Sequence, residues 1–332
     1  MAHATKSLYS AVNDRRSVRN FQGRSIEPDK VAVMIEAAQR APFSETPYRI
    51  VAVKNRERKL ALCNAALGQP WVKRADVDFV VLATSSGVPG VMSTAAATAY
   101  MDIAAHALGL GSVWVGAFYP DQVGRIVDAE KNEIPVAILC CGYPDPRARE
   151  MKTPRRNLSD LIAVIDSSDQ IKRYQGIPDQ SLGSMPFFDV VARRRAATLL
   201  QRTEIEPGKI HRILEVANRA PSAGNLQAYD LLLLDPAWES EGLMDNITDG
   251  TSAGAELIIF ANRMRSAGKY GERGAYLYCL QDATIAAAYA ELAAQDVGLS
   301  TRWNTGFDAD MLMDIVQPSQ HHLPIAILSI SK

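Results

Sequence analysis

Cysteine is scarce in this chain. Its 332 residues include four, Cys63, Cys140, Cys141 and Cys279, too few and too irregularly spaced for a disulfide framework. Cys140 and Cys141 are neighbours in an apolar run that reads as a strand. Successive strand side chains point to opposite faces, so the pair does not chelate together, and all four read as buried, inert thiols. The five histidines show no ligand spacing, and no metal site is expected. Long hydrophobic runs are missing: Phe79 to Ala83 and Leu231 to Leu234 are strand-length, not membrane-length. The first thirty residues lack the unbroken apolar core of a signal peptide. An excess of charge is missing too. Thirty-six Lys+Arg against 37 Asp+Glu leave a formal net charge of −1, which excludes a general electrostatic pull toward nucleic acid or an anionic membrane. Any basic patch is therefore local. Gly109, Gly111 and Gly116 do not fall at the spacing of a dinucleotide-binding fingerprint. Together these absences predict a cytoplasmic globular protein with a small-molecule partner and no nucleic-acid or membrane partner.

What is present is ordinary in amount, 47% apolar and 22% charged residues, but not in arrangement. Residues 26–42, IEPDKVAVMIEAAQRAP, return as 205–221, IEPGKIHRILEVANRAP, 179 positions later. In each copy Ile-Glu-Pro opens a helix, since proline suits a first turn. Val31, Met34, Ile35 and Ala38, and likewise Ile210, Ile213, Leu214 and Ala217, form the stripe of a core-facing helix. Residues 104–118, AAHALGLGSVWVGAF, answer to 293–307, AAQDVGLSTRWNTGF, at an offset of 189, and IPVAIL at 134–139 answers to LPIAIL at 323–328. The Gly-Leu pairs at 109–110 and 298–299 suit helix C-termini, where glycine accepts the left-handed conformation. Helices interleaved with strands make the fold class α+β. The expected organisation is repeat 1 with a basic tail over 1–162, a polar linker over 163–187 carrying Gly176, Pro178, Gly183 and Pro186, and repeat 2 over 188–332.

Several segments resemble, in order and in both halves, the signatures of the FMN-dependent nitroreductase family. They are RRSVRNF (15–21), QPWVKRADVDFVVLA (69–83), GLGSVWVGAF (109–118), GYP…KTPRRNL (142–158), APSAGNLQAY (220–229) and YGERGAYLYCLQDA (270–283). The resemblance implies a nitroreductase-like fold that normally dimerises around two FMN molecules. One subunit gives the Arg-Arg-Ser segment, the Gly-Phe loop and the basic tail, and the other lends Ala-Pro-Ser-x-x-Asn. Here the two repeats of one chain would form an intramolecular pseudo-dimer, a monomer or at most a weak homodimer.

The chemistry fits that implication. FMN phosphate needs fixed donors. Arg15, Arg16 and Arg19 offer guanidinium forks, Ser17 a compact hydroxyl, and Lys152, Arg155 and Arg156 further cations from the tail. Pro221, Ser222, Ala223, Asn225 and Gln227 would hold the polar edge of the flavin. Gln69 and Val115, Gly116 and Ala117 join the set by resemblance, Gly116 allowing close backbone approach. Tyr48, Phe118 and Trp303 are candidates for a substrate pocket, though aromatic residues of this kind more often belong to the core. At offset 179, Arg15-Arg16-Ser17-Val18-Arg19 faces Arg194-Arg195-Ala196-Ala197-Thr198, which has lost the serine and the last arginine. In the other direction Pro221-Ser222-Ala223-Gly224-Asn225-Leu226-Gln227 faces Pro42-Phe43-Ser44-Glu45-Thr46-Pro47-Tyr48. Only one of the two composite sites is complete, so one FMN per chain is expected. The function so implied is hydride transfer from NADH or NADPH to flavin and then, in the same pocket, to a small acceptor of nitro, quinone or enone type. No certain catalytic side chain is visible. The alternatives are a flavin dehydrogenase or oxidase of a heterocycle or peptide, and a non-catalytic flavin-binding scaffold.

Overall fold

The computed structural model describes residues 5–43, 45–148, 153–165, 171–177, 182–234 and 253–332; Ser44, Lys152 and Pro178 lie outside the described residues. The elements begin with α1 (Leu8–Asp14), α2 (Pro28–Gln39), β1 (Tyr48–Val53), α3 (Arg56–Ala65), α4 (Pro70–Arg74), β2 (Val77–Ala83), α5 (Val88–Ala107), β3 (Gly111–Val115), α6 (Pro120–Ile126) and β4 (Ile134–Gly142). There follow α7 (Leu158–Leu161), β5 (Ile162–Ile165), β6 (Ile171–Arg173), α8 (Phe187–Arg193), α9 (Pro207–Asn218), β7 (Tyr229–Leu234) and β8 (Ala255–Asn262). The last are α10 (Arg263–Arg273), α11 (Cys279–Asp296), β9 (Ser300–Asn304), α12 (Ala309–Val316) and β10 (His322–Ser331). The chain divides into two units, Met1–Lys152 with Pro186–Ala192, and Thr153–Met185 with Arg193–Lys332.

The first unit is built on an antiparallel sheet of order β1-β2-β4-β3. Strand β2 is buried at every position, so it reads as a continuous apolar run rather than an alternation. Val80, Leu82, Val113, Val115, Ile138 and Cys140 join Leu62, Val72 and Val123 in one core cluster, which also takes in Phe118. All four cysteines are buried free thiols, and burial pushes the Cys140 and Cys141 thiols well up from their ordinary range. Helix α5 is buried on every face from Met92 to Ala107. Alanine and threonine make that possible, and they also erase the amphipathic stripe by which a sequence announces a helix.

The second unit has six strands in the order β6-β5-β7-β8-β10-β9. Its β7-β8-β10-β9 run has the strand order of β1-β2-β4-β3. Two strands are added at its edge: β5 lies parallel to β7, and β6 lies antiparallel to β5. Both come from the neighbourhood that the sequence reads as linker. At four and three residues they are too short for any periodicity to register; pairing with β7 stabilises β5, and β5 in turn pairs with β6. Leu232, Leu234, Ile258, Phe260, Leu312 and Ile327 form the core on this side of the sheet.

The units match in detail. Pro28 and Pro207 stand in the first turns of α2 and α9, and Gly109 and Gly298 take φ +74° and +77° after α5 and α11. A bulge interrupts β4 and β10 beside Pro135 and Pro324, where a proline inside a strand is tolerated. The match also corrects the sequence reading of one loop. Tyr48 donates its hydroxyl to Ala38 O at 2.7 Å, and Tyr229 donates to Ala217 O at 3.2 Å. The structural partner of Tyr48 is therefore Tyr229, not Gln227 at offset 179, and the loop after α2 is two residues shorter than the loop after α9. A uniform offset of 179 hides that difference because it holds only up to Arg-Ala-Pro.

Glycine is required where the segment after α1 meets β3. Val18 N donates to Ser112 O at 2.7 Å, and a methyl group on Gly111 would lie 2.6–2.9 Å from the Val18 side chain. In the second unit Ala197 N donates to Thr301 O at 2.9 Å, and Ser300 stands where Gly111 would be. The larger residue on one side is matched by a smaller one on the other. Gly111→Ala is expected to destabilise the protein by about 1–3 kcal/mol through overpacking. Adding Val18→Ala should restore most of that loss, which denaturant unfolding of the single and double variants measures.

Candidate functional site

The Arg-Arg-Ser segment is the end of α1 carried on as extended chain. Ser7 caps α1 by accepting from Ser10 N, and after Asp14 the backbone leaves helical angles and pairs Ser17 with Ser112 of β3. Arg15 is turned inward. Its side chain is 6% exposed and its Nη1 lies 4.0 Å from Oδ2 of the fully buried Asp102, on α5. Asp102 also accepts from the Ser112 hydroxyl and, at 3.1 Å, from Trp114 Nε1, while His106 Nε2 lies 2.9 Å from Ser112 Oγ. Burial pushes the Asp102 carboxyl up against the pull of Arg15. Burial, then Arg15, Lys6 and Arg16, hold His106 well below its ordinary range, so its imidazole is neutral.

Arg16 is half-buried, while Ser17 and Arg19 are exposed. The Arg19 guanidinium sits 5.3 Å over the ring of Trp71. Gln69, just before α4, donates its amide to Ala66 O and to Ala117 O, both at 2.9 Å. It thus ties the end of β3 to the start of α4. Val115 is buried, Gly116 is half-buried and Ala117 is exposed. The first unit therefore brings Arg19, Trp71, Gln69 and Ala117 together. Tyr48 and Phe118 have structural work of their own, the first bonding to Ala38 O and the second lying in the core cluster.

The second unit holds the Ala-Pro-Ser-x-x-Asn loop. It turns through a single 3-10 turn at Ala223–Asn225, with positive φ at Gly224, Asn225 and Gln227. Arg155 and Arg156, read from the sequence as a tail, belong to this unit and clamp that loop. Arg155 donates to Ala220 O at 2.6 Å and Arg219 O at 2.9 Å. Arg156 donates to Tyr229 O at 2.8 Å, to Asp230 Oδ1 at 2.7 Å and to Asp160 O. Asn225 donates to Pro154 O at 2.7 Å. Ser222 Oγ accepts from Gln227 N at 3.0 Å. Gln227 is buried, its amide engaged with Asn218 Oδ1 at 2.6 Å and with Arg156 N at 2.7 Å. Pro221 and Ala223 are half-buried beside them.

Asp282, which the motif reading missed, sits beneath that loop. It lies in the first turn of α11, fully buried, and accepts from Ala223 N at 2.8 Å and from Ala228 N at 3.4 Å. Burial raises its carboxyl to about 8 against those two bonds. The signal was a lone carboxylate in the apolar run Cys279 to Ala290, at a place where α5 of the first unit carries Ser93. Asp102 and Glu291 were visible on the same ground, as carboxylates 189 apart in two long apolar helices.

The counterpart of the Arg-Arg-Ser segment is held differently in the second unit. Arg194 pairs with the buried Glu291 on α11 at 3.2 Å, as Arg15 does with Asp102. But Arg302 donates to Ala197 O at 2.9 Å and to Thr198 O at 2.5 Å, which pins the stretch corresponding to Val18-Arg19.

Two predictions follow from these bonds. Arg15→Met should cost about 3 kcal/mol, because Asp102 is left as an uncompensated buried charge, whereas Arg15→Met with Asp102→Leu should recover most of it; chemical denaturation of the set reads the coupling. A carboxyl raised in the folded state keeps its proton where the unfolded chain has lost it. Stability should thus fall by about 1.4 kcal/mol per pH unit from the ordinary carboxylate range up to about pH 8 on account of Asp282 alone. Asp282→Asn should remove that part of the slope when melting is followed from pH 5 to pH 8.

The family described as “Putative TM nitroreductase” matches residues 7–237 of this chain, from α1 through β7. A “Putative NADH dehydrogenase/NAD(P)H nitroreductase” of Methanothermobacter thermautotrophicus is 31% identical over 162 residues, covering 45% of this chain and 84% of that protein. An NAD(P)H FMN reductase of Bacillus subtilis is 24% identical over 200 residues, 52% of this chain and 80% of that protein. A crystal structure of a nitroreductase family protein from Clostridium novyi NT aligns at a TM-score of 0.41 and 24% identity, covering 42% of this chain and 87% of that one. No helix among the described residues is long and apolar enough to cross a membrane. With well over half its length matched by the family, and with the family's segments placed on the elements described above, the chain belongs to the nitroreductase family.

Proposed function

We propose that the chain is an FMN-dependent oxidoreductase that uses NADH or NADPH to reduce a small organic acceptor of nitro, quinone or enone type. In this reading its two units are fused halves of a pseudo-dimer that shares one FMN. When bound, FMN supplies reversible two-electron chemistry, alternating between reductant and acceptor in one pocket, and the protein supplies binding, orientation and electrostatics. The relatives named as an NAD(P)H nitroreductase and an FMN reductase support the cofactor pair.

The observation that carries the reading is the donor set of the Arg15–Arg19 segment. A phosphate dianion needs cations and hydroxyls without a competing carboxylate nearby. Ser17 and Arg19 are exposed, while Asp102 is buried and already faces Arg15, and Asp14 is paired with Lys6 at 2.6 Å. Arg16, Ser17 and Arg19 would hold the phosphate, and Arg15 would fix their backbone by anchoring it to α5. Gly116 and Ala117, steadied by Gln69, would offer backbone amides to the flavin. In the second unit Pro221, Ser222, Ala223 and Asn225 would meet its polar edge. Arg155, Arg156 and Gln227 would act one step back, as supports of that loop. The second segment, with Ala196 and Thr198 in place of Ser17 and Arg19 and with its carbonyls taken by Arg302, has little left to offer a phosphate. That supports a single site per chain.

Purified protein is expected to be yellow, with about one FMN per chain by absorbance after denaturation, and Arg19→Ala should weaken FMN binding roughly 10- to 100-fold, the loss of one charge-assisted contact. Thr198→Ala, at the matching position of the other unit, should leave it unchanged. About two FMN per chain would overturn the single-site reading. No flavin, even after reconstitution, would sink the enzyme reading itself.

A further inference from the structure

We infer that Lys269 and Tyr270, on the helix that lies against Gly224, recognise a phosphate group of the nicotinamide reductant; this rests on the flavin oxidoreductase reading above. The stretch Arg263 to Tyr278 carries four cations, Arg263, Arg265, Lys269 and Arg273, against one carboxylate, Glu272, in a chain whose net charge is −1. It is the kind of local basic patch that the overall charge balance permits, and its place is not arbitrary. Gly224 has φ +57°, and a methyl group there would overlap the Tyr270 hydroxyl and come within 2.8 Å of Lys269 Nζ. So α10 presses directly on the loop proposed to hold the flavin edge, in the same unit.

The four cations differ in how far they are engaged. Arg273 Nε donates to Tyr278 Oη at 2.9 Å and its guanidinium lies over that ring. Arg263 lies over Tyr276 at 5.5 Å. Arg265 faces Asp230 and Arg156, and burial together with Arg156 lowers its affinity for the proton. Lys269 is exposed, stands 5.4 Å from the Tyr270 ring centroid, and forms no ion pair among the described residues. After Tyr270 the backbone breaks at Gly271 (φ +57°, ψ −142°) and runs through a π turn at Gly274–Tyr278, an irregularity that recurs at functional sites. It redirects the chain just past the pair.

Chemistry then selects the ligand. A nicotinamide dinucleotide carries its negative charge on phosphates. Side-chain cations and hydroxyls are among the donors that meet such phosphates. An exposed ammonium on a flexible stem suits a single phosphate oxygen, and the phenol beside it adds a hydroxyl donor. The phosphate could be the pyrophosphate common to both dinucleotides or the 2′-phosphate of NADPH alone, and affinity distinguishes them.

The test is to titrate the flavin-loaded protein with NADP+ and with NAD+ by isothermal calorimetry, for the wild type, Lys269→Ala and Lys269→Glu, with flavin content measured for each. Lys269→Glu is expected to weaken NADP+ by roughly tenfold or more, and Lys269→Ala by less, as for a lost charged contact. Loss confined to NADP+ assigns the 2′-phosphate, and equal loss for NAD+ assigns the pyrophosphate. Unchanged affinity for both dinucleotides, with flavin content intact, overturns the inference while leaving the oxidoreductase reading standing. Wild-type protein that takes up no flavin would instead remove the reading on which the inference rests.

Discussion

An inward-turned guanidinium facing a buried carboxylate sets the geometry of each unit. Arg15 faces Asp102 in the first and Arg194 faces Glu291 in the second. In both, the acid comes from a long helix with no exposed face, and the arginine from the chain that has just left a short helix. Burying either charge alone would be prohibitive, so the segment after the short helix cannot drift from the long one. The neighbouring contacts follow. In the first unit Ser112 and Trp114 complete the carboxylate's bonds, and β3 takes up the backbone of Ser17 and Val18. The residues that the family resemblance marks for phosphate are presented by this anchor. One of them, Arg15, is the anchor.

The units share that frame and differ in what is attached to it. The pair linking the first strand to the last shows how freely the attachments change. Arg49 forms a bidentate pair with Glu133 at 2.6–2.7 Å, and at the matching positions Asp230 meets His322 at 2.8 Å. The acid moves to the other strand and the bridge is kept. Burial alone would raise the Asp230 carboxyl, but His322, Arg156 and Asn262 outweigh it and hold it below its ordinary range. What the frame needs is complementarity, not a particular residue. The same holds for Gly111 opposite Val18 and Ser300 opposite Ala197. By contrast the serine and final arginine of RRSVR have no compensating partner in the second unit, where Arg302 instead pins the backbone. Compensated changes mark packing, and in the proposed reading the uncompensated one marks the phosphate site of the first unit.

Legibility in the sequence followed the same division. The helices opened by Ile-Glu-Pro, the glycine stops and the apolar strands were readable because each is a local signal: a proline, a positive φ, a run of Val and Ile. The family was readable because its segments keep their order. Three things were not. Helices α5 and α11 have no stripe to detect, being buried all round. Strand β5 exists through its pairing with β7, a partner no local window of sequence contains, and β6 pairs in turn with β5. The roles of Arg155, Arg156 and Gln227 were misjudged in emphasis, because composition shows which donors are present but not which acceptors they meet. Arg156 alone meets Gln227, Tyr229, Asp160 and Asp230.

Asp282 shows why the loop after α9 is the better-built of the two. The loop after α2 is two residues shorter and has only Ser93 at the corresponding place on its long helix. In the second unit a carboxylate replaces that hydroxyl and binds two backbone amides of the loop from below, while Arg155 binds two of its carbonyls. A loop held by both its donors and its acceptors keeps its polar groups aimed with little entropy left to lose on binding. The cost is an acid with no cation beside it among the described residues, held in a place that favours its neutral form. Such a group lowers stability near neutral pH and offers nothing to packing that serine would not. In the proposed reading, its presence under one loop and not the other is what preorganisation for the flavin would account for.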